Sequence, residues 1–252
     1  MSRPAVLVTG AARRIGAAIA HAFGGAGWHV LIHYRHSRGA AEALAAALPS
    51  AETVGCDLED GEAAVHMIQA LATRRDDWRC LVNNAALFRR DDAARLDPAV
   101  MAETMQVNSI TPARLAQSFL AHARSTRDRC VIQLTDQKLV NPNPDFFSYT
   151  MSKHAAASSV PMLAMAYPND RIYALAPGAI LASHDQHEAE ADRSHRLNLL
   201  ARRTSAEEVA QAALFMAEGP LASGQVLHVD SGQHLLAQKR DVMYLAREGE
   251  AP

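Results

Sequence analysis

Residues 5–38 read AVLVTGAARRIGAAIAHAFGGAGWHVLIHYRHSR. An apolar run (5–9) passes through two glycines six apart, Gly10 and Gly16, into an alanine-rich segment of helical period, and a second apolar run, HVLIH (29–33), follows. Strand, glycine turn, helix and strand in this order make one unit of a parallel sheet, and Gly27 supplies a stop signal for the helix. Glycine at such a turn lets the backbone approach a ligand closely. The helix N-terminus behind it offers unpaired N–H groups and the positive end of its dipole to an anion. A tight structural turn would use the same two glycines, but the flanking strand and helix favour a bound pyrophosphate. Arg14 stands where a further glycine is common in such loops.

The alternation continues along the chain. Further strands are expected at 51–55, 80–83, 130–135, 171–176 and 225–230, separated by helices at 40–48, 62–74, 99–124 and 152–166. Short β-branched runs alternating with helices predict an α/β fold. The expectation is a single domain over 1–252 with a doubly wound, Rossmann-type, seven-stranded parallel sheet and helices on both faces. Residues 179–204 break the alternation: they follow Pro177 and Gly178 and are rich in polar and charged side chains, as a substrate loop or lid would be. The tail, about 235–252, follows the last strand and is expected either to pack on a neighbouring subunit or to fray.

Bulk properties narrow the function. With 252 residues, 49% hydrophobic and 21% charged, the chain has ordinary globular usage. A net charge of −2 gives no general attraction to phosphate backbones or anionic membranes, and the arginine pairs are scattered without interleaved aromatics, so no nucleic-acid partner is expected. The cysteines at 56, 80 and 130 form no C-x-x-C and suit a reducing compartment. No signal peptide or bilayer-spanning run is present, so a cytoplasmic protein without a membrane partner is expected.

The strand ends sharpen the ligand. A carboxylate about 20 residues past the glycines would hold the ribose hydroxyls of NAD, whereas basic and hydroxyl side chains accommodate the extra phosphate of NADP. Arg35, His36, Ser37 and Arg38 follow the second strand, with no acid before Glu42, so NADPH is the expected cofactor. Asp57 after the third strand is placed to reach an adenine amino group, and Asn83 and Asn84 after the fourth line the same crevice.

In order, the chain carries TGAARRIG, DL (57–58), NNA (83–85), Asn108 in QVNS, Tyr149 and Lys153 as YxxxK, and PG (177–178). This series resembles the short-chain dehydrogenase/reductase family over nearly the whole chain. The resemblance implies a tyrosine, Tyr149, that gives or takes the substrate proton, and a lysine, Lys153, that holds the nicotinamide ribose and lowers the tyrosine pKa. It also implies an asparagine, Asn108, that completes a water-linked relay. The physics agrees: a phenol with a pKa near ~10 needs neighbouring positive charge, and an i, i+4 spacing puts both side chains on one helical face. By the same resemblance the cofactor contacts are Gly10, Arg14, Ile15, Gly16, Arg35, His36, Ser37, Asp57, Leu58, Asn83, Ala85, Lys153, Pro177 and Gly178. A homodimer or homotetramer is implied as well.

Most family members carry a serine thirteen residues before the tyrosine; this chain has Asp136. An ionised carboxylate cannot donate a hydrogen bond to a ketone oxygen, but it can accept from the ring N–H and amino groups of a nitrogen heterocycle. Pteridine reductases, a branch of the family, carry aspartate here, and TGAARRIG, HYRHS and NNAALF ending in Phe88 resemble them too. The expected small-molecule substrate is a pterin or folate-like ring, bound by Arg14, Phe88, Asp136 and Tyr149 and reduced by NADPH, with Asp136 also expected to be catalytic as part of a proton relay with Tyr149. A carbonyl reductase in which Asp136 is protonated or structural is one alternative, and a non-catalytic NADP(H)-binding protein is another.

Other features depart from the family. Pro161, inside the helix after Lys153, is expected to kink or end it. Tyr173 and Ser231 stand at places where asparagine and glycine are common. The string SHDQHEAEADRSH (183–195) suggests a metal site, with His184 and His187 able to share a face. Ala191 interrupts the H-E-x-x-H pattern, however, and no metal is expected.

Overall fold

A computed structural model describes residues 3–183 and 186–248 of the chain. Its strands are β1 (Ala5–Val8), β2 (His29–Tyr34), β3 (Ala51–Gly55), β4 (Trp78–Asn83), β5 (Cys130–Leu134), β6 (Arg171–Pro177) and β7 (Val226–Val229). They form one parallel sheet in the order β3-β2-β1-β4-β5-β6-β7. The chain starts in the middle, winds outward to β3, then crosses back to β4 and winds the other way. The reversal beside β1 opens a crevice at the carboxyl ends of the strands, where open α/β sheets bind ligands.

The strands are apolar throughout because both faces are covered. Val6 and Val8 point into one core layer with Ile19, Phe23 and Val209, while Leu7 points into the other with Ile68, Leu115 and Phe119. The first layer is roofed by α1 (Arg14–Gly25), α2 (Arg38–Ala47) and α8 (Ala206–Glu218), and the second by α3 (Gly61–Arg74) and α5 (Thr111–His122). Gly27, at φ +88°, donates its N–H to Gly24 O and closes α1, as the stop signal predicted.

Three expectations need correction. The single helix expected over 99–124 is divided into α4 (Pro98–Met105), a π-helical turn (Gln106–Ile110) and α5. The wide turn is built around Asn108, and such turns cluster at functional sites. Pro161 does not end its helix: α6 (Phe147–Ala166) runs five residues past it. Pro161 lies on the exposed side, where water can satisfy the freed carbonyl, while Thr150, Ser152, Ala156 and Val160 bury the opposite side.

The tail is the third. It folds back on its own chain: α9 (Val242–Glu248) buries Val242, Met243 and Ala246 and packs against α7 (Glu188–His195) in the 179–204 loop, with Arg247 paired to Glu190 at 2.6 Å. Residues 249–252 of the tail and 184–185 of the loop lie outside the described residues. Ser231 has φ +53°, the left-handed conformation that makes glycine common at this position, and its hydroxyl lies 2.6 Å from that of Thr204. Tyr173 is buried and donates to Leu221 O.

Candidate active site

The glycine loop is held by side chains from three strands. Gly10 adopts φ +62°, and a Cβ there would press on Ala85 at 3.1 Å. A Cβ on Gly16 would collide with Gly10 O and with Asn84 Nδ2 at 2.7 Å, so a side chain there forces the loop to shift, while one on Gly10 would be strained by its positive φ. Arg14 occupies the glycine-favouring place at φ +58°. Its guanidinium spans to the 179–204 loop, donating to Ala182 O (3.0 Å) and Leu181 O (3.3 Å). The α1 N-cap, Arg13, gives no side-chain cap bond, which leaves the helix end open to an anion.

Two residues missed in the sequence fix this loop. Thr9 Oγ1 accepts the N–H groups of Asn84 (2.9 Å) and Ala85 (3.0 Å), stitching the end of β4 to the end of β1. His33 Nδ1 accepts the Gly10 N–H at 3.0 Å, so its proton sits on Nε2, which faces Cys56 O at 3.1 Å. Burial lowers the His33 pKa to about 4 and keeps the ring neutral. No sequence signal marked His33, because its partners Gly10 and Cys56 follow other strands.

Several expected cofactor residues have other work. Asn83 is buried and its amide donates to Pro112 O and Gln133 Oε1, so its side chain supports the sheet end and does not face the crevice. Asn84 takes the outer position, its amide donating to Thr9 O at 2.8 Å. The Leu58 side chain is in the core and its carbonyl accepts from Thr111. Asp57 grips Arg35 at 2.8 Å, with Glu59 beside it, so folding supplies the basic turn with acids that its local sequence lacks. His36 and Arg38 stay at the surface, and Ser37 makes no cap bond at the start of α2, leaving that helix end and turn able to receive a phosphate. Pro177 ends β6, and Gly178 donates its N–H to Val229 O at the cavity edge.

The residues expected to be catalytic meet at the end of β5 and the start of α6. Tyr149 Oη donates to Asp136 Oδ2 at 2.8 Å, and the Lys138 N–H donates to Asp136 Oδ1 at 2.8 Å. Burial raises the Asp136 pKa, against the opposing pull of its hydrogen bonds and of Lys153 and Lys138. Burial and the Asp136 charge push the Tyr149 phenol well above its usual value, so it holds its proton at neutral pH. Lys153 Nζ donates to Leu134 O at 2.7 Å and lies 5.7 Å from the centre of the Tyr149 ring. Burial lowers its pKa to about 8.

Asn108 does not reach the cavity. Its side chain binds Leu87 N (2.7 Å), Leu87 O (2.9 Å) and Ser152 Oγ (3.0 Å), and Ser152 in turn donates to Tyr149 O. It therefore fixes the Phe88 segment and the first turns of α6. That helix begins earlier than its composition suggests: Phe146 turns the chain at φ +52°, and Asp91, far away in sequence, caps Ser148 N.

A cavity of about 230 Å³ opens onto this group, lined among others by Arg14, Ile15, Phe88, Asp136, Tyr149 and Gly178. The Phe88 ring is 41% exposed, stacks on Phe146 at 4.2 Å and meets Tyr149 edge-on at 4.7 Å. From the far side come His195 of α7 and Asp241, Val242 and Met243 of the tail. The tail residues had no sequence signal, because only docking of the tail brings them here. Among the described residues no cluster of three or more His, Cys, Asp or Glu side chains could hold a metal, and His184 lies outside them. Among the described residues no helix is long and apolar enough to cross a membrane.

Known proteins resemble this arrangement. The chain is 29% identical to pteridine reductase 1 of Leishmania tarentolae over 280 residues, covering 92% of this chain and 96% of that one. The structure of FolM alternative dihydrofolate reductase 1 from Brucella suis, in complex with NADP, is 34% identical, with a TM-score of 0.88 and coverage of 95% and 98%. The angucycline C-6 ketoreductase LanV with bound NADP, at 24% identity and a TM-score of 0.84, shares the fold. A family model described as enoyl-(acyl carrier protein) reductase matches residues 10–234. Running from the first loop glycine to beyond the last strand, that match leaves one assignment: the chain belongs to the short-chain dehydrogenase/reductase family.

Proposed function

We propose that the protein is an NADPH-dependent reductase of a pterin or folate-like C=N bond, taking a dihydropterin to its tetrahydro form. The observation that carries the reading is the Asp136 carboxylate, 2.8 Å from the Tyr149 hydroxyl in a cavity walled by an exposed aromatic ring. The resemblance to a pteridine reductase and to an NADP-bound alternative dihydrofolate reductase supports it. Gly10, Gly16 and the open α1 terminus would hold the cofactor pyrophosphate, and the Arg35–Arg38 turn its extra phosphate. When bound, NADPH supplies the hydride.

The chain's own residues handle the ring and the proton. Ionised Asp136 accepts from ring N–H and amino groups, and Phe88 offers its face to the ring. Tyr149 keeps its proton until the ring nitrogen gains basicity, then donates it, and the Lys153 ammonium favours the resulting phenolate. Asn108 contributes through the geometry it holds at Leu87 and Ser152.

A second reading, a carbonyl reductase, is favoured by the raised Asp136 pKa, since a protonated carboxyl could donate to a ketone oxygen. NADPH oxidation with a dihydropterin, dihydrofolate and simple ketones, by wild type and Asp136→Ser, separates the two. Pterin-confined turnover that falls about 100-fold in the variant, with no gain on ketones, supports the pterin reading. Ketone-confined turnover would overturn it.

Assembly as a homodimer or homotetramer and a cytoplasmic location belong to the same reading. They are supported by Met162 and Met165 of α6, 58% and 76% exposed, and by three free thiols.

A further inference from the structure

Lys138 is 5% exposed, which is costly for an ammonium unless it is paired and hydrogen-bonded. Its Nζ donates to Asp145 O at 2.6 Å and to Asp241 Oδ2 at 3.3 Å, and lies 5.5 Å from the centre of the Phe146 ring. Its backbone N–H holds Asp136 Oδ1. The Asp145 carboxylate in turn receives Arg240 Nε at 2.9 Å and the Asp241 N–H at 2.8 Å. One network, buried at Lys138 and Asp145 and partly exposed at Arg240 and Asp241, thus joins the turn that carries Asp136, the residue before the turn that starts α6, and the beginning of the tail. A methionine would fill the same space without the desolvation cost, so the retained charge calls for a role.

We propose that Lys138 and Asp241 are positioning residues for Asp136, and that through them the C-terminal tail is a working part of the proton-handling site. Lys138 supplies a second cation beside Asp136, in addition to Lys153, and Asp241 limits how strongly that cation acts. The groups around Asp136 are Lys138 on its own turn, Tyr149 and Lys153 of α6, and Asp241 of the tail, with Arg14 of α1 and His195 of α7 lining the same cavity. Removing Lys138 withdraws positive charge and leaves Asp241 unneutralised, so Asp136 becomes harder to ionise. Removing the Asp241 charge frees Lys138 to act on Asp136 and has the opposite effect. Opposite signs from two partners of one ion pair are not what simple loosening of the fold would give.

The inference rests on Asp136 and Tyr149 acting together, not on the substrate being a pterin, and its test needs no turnover. The infrared C=O band of protonated Asp136, assigned by its loss in Asp136→Asn, is titrated in the full-length protein and its variants. Lys138→Met should move the midpoint up by about half a pH unit or more, and Asp241→Asn should move it down by a similar amount. Lys138→Arg should return it to the wild-type value, which separates charge from folding damage. The acid limb of kcat/KM, on whichever substrate the enzyme accepts, should move in the same directions. Midpoints that stay fixed, or that move the same way in Lys138→Met and Asp241→Asn, would overturn the inference. A failure of pterin turnover with the opposite shifts intact would overturn the proposed function alone.

Discussion

The glycine loop and the cavity at Asp136 and Tyr149 lie at the same edge of the sheet but are built differently. The loop is fixed by backbone groups and short side chains from adjacent strand ends: Thr9 to Asn84 and Ala85, His33 to Gly10, and Gly16 against Gly10 and Asn84. The cavity is assembled from segments far apart in the chain: Arg14, Phe88, Asp136, Tyr149, His195 and the tail from Asp241 to Met243. A site made from neighbouring strand ends shares the stability of the sheet, whereas one made from loops, a short helix and a tail can vary without disturbing the core. Damage to the loop should therefore reach both cofactor affinity and stability. Damage to the cavity should reach turnover and leave both nearly intact.

The sharpest way to break the comparison is Tyr149→Phe. It should lower kcat by about 10³-fold while dinucleotide affinity, read by fluorescence titration, and thermal stability stay near wild type. A comparable loss of cofactor affinity would mean that the two regions are not separable.

His33 gives the next effect, and its sign is fixed. The folded-state pKa of about 4 lies below the ordinary imidazole value of 6.5, so folding favours the neutral ring. Its stabilisation is complete above pH 6.5 and is lost as pH falls from there towards 4, by about 3 kcal/mol at most. His33→Gln can keep an acceptor for Gly10 without titrating. Urea unfolding across this range should show a flatter acid limb in the variant, and parallel limbs would refute the role of His33.

Gly16→Ala should cost about 1–3 kcal/mol of stability and weaken dinucleotide binding together, because the added methyl meets Gly10 O and Asn84. Loss of one without the other would break the link drawn between the loop and the sheet. The smallest effect belongs to Phe88→Ala, which should raise substrate KM by several-fold with little change in melting temperature, since the ring is already 41% exposed. A large fall in stability would instead make Phe88 a packing residue of the Phe146 stack.

The difference between the regions also decides what could be read in advance. The strand-turn-helix unit at residues 5–38, the seven parallel strands and the Tyr149–Lys153 spacing were legible because each is written locally, by alternation of apolar runs, by glycines at a turn, or by one helical turn of separation. The departure at Asp136 was legible for the same reason, as one residue at a fixed distance from Tyr149. Its pairing with Tyr149 was expected from the family resemblance, but the burial that raises its pKa was not, because burial arises only when β5, α6 and the tail meet. Pro161 does not end its helix, because its cost depends on which side of the helix faces water.

Sequence alone determined the doubly wound architecture, the glycine turn after the first strand and the spacing of Tyr149 and Lys153 on one helical face, since these depend on residue type and spacing along short stretches. Only the tertiary structure decided that Asn83 and Leu58 turn inward, that Arg35 is matched by Asp57 and Glu59, and that the tail closes the cavity. Each of those outcomes is a contact between segments dozens of residues apart. No local pattern encodes such a contact, because it exists only once the core has fixed where both partners lie.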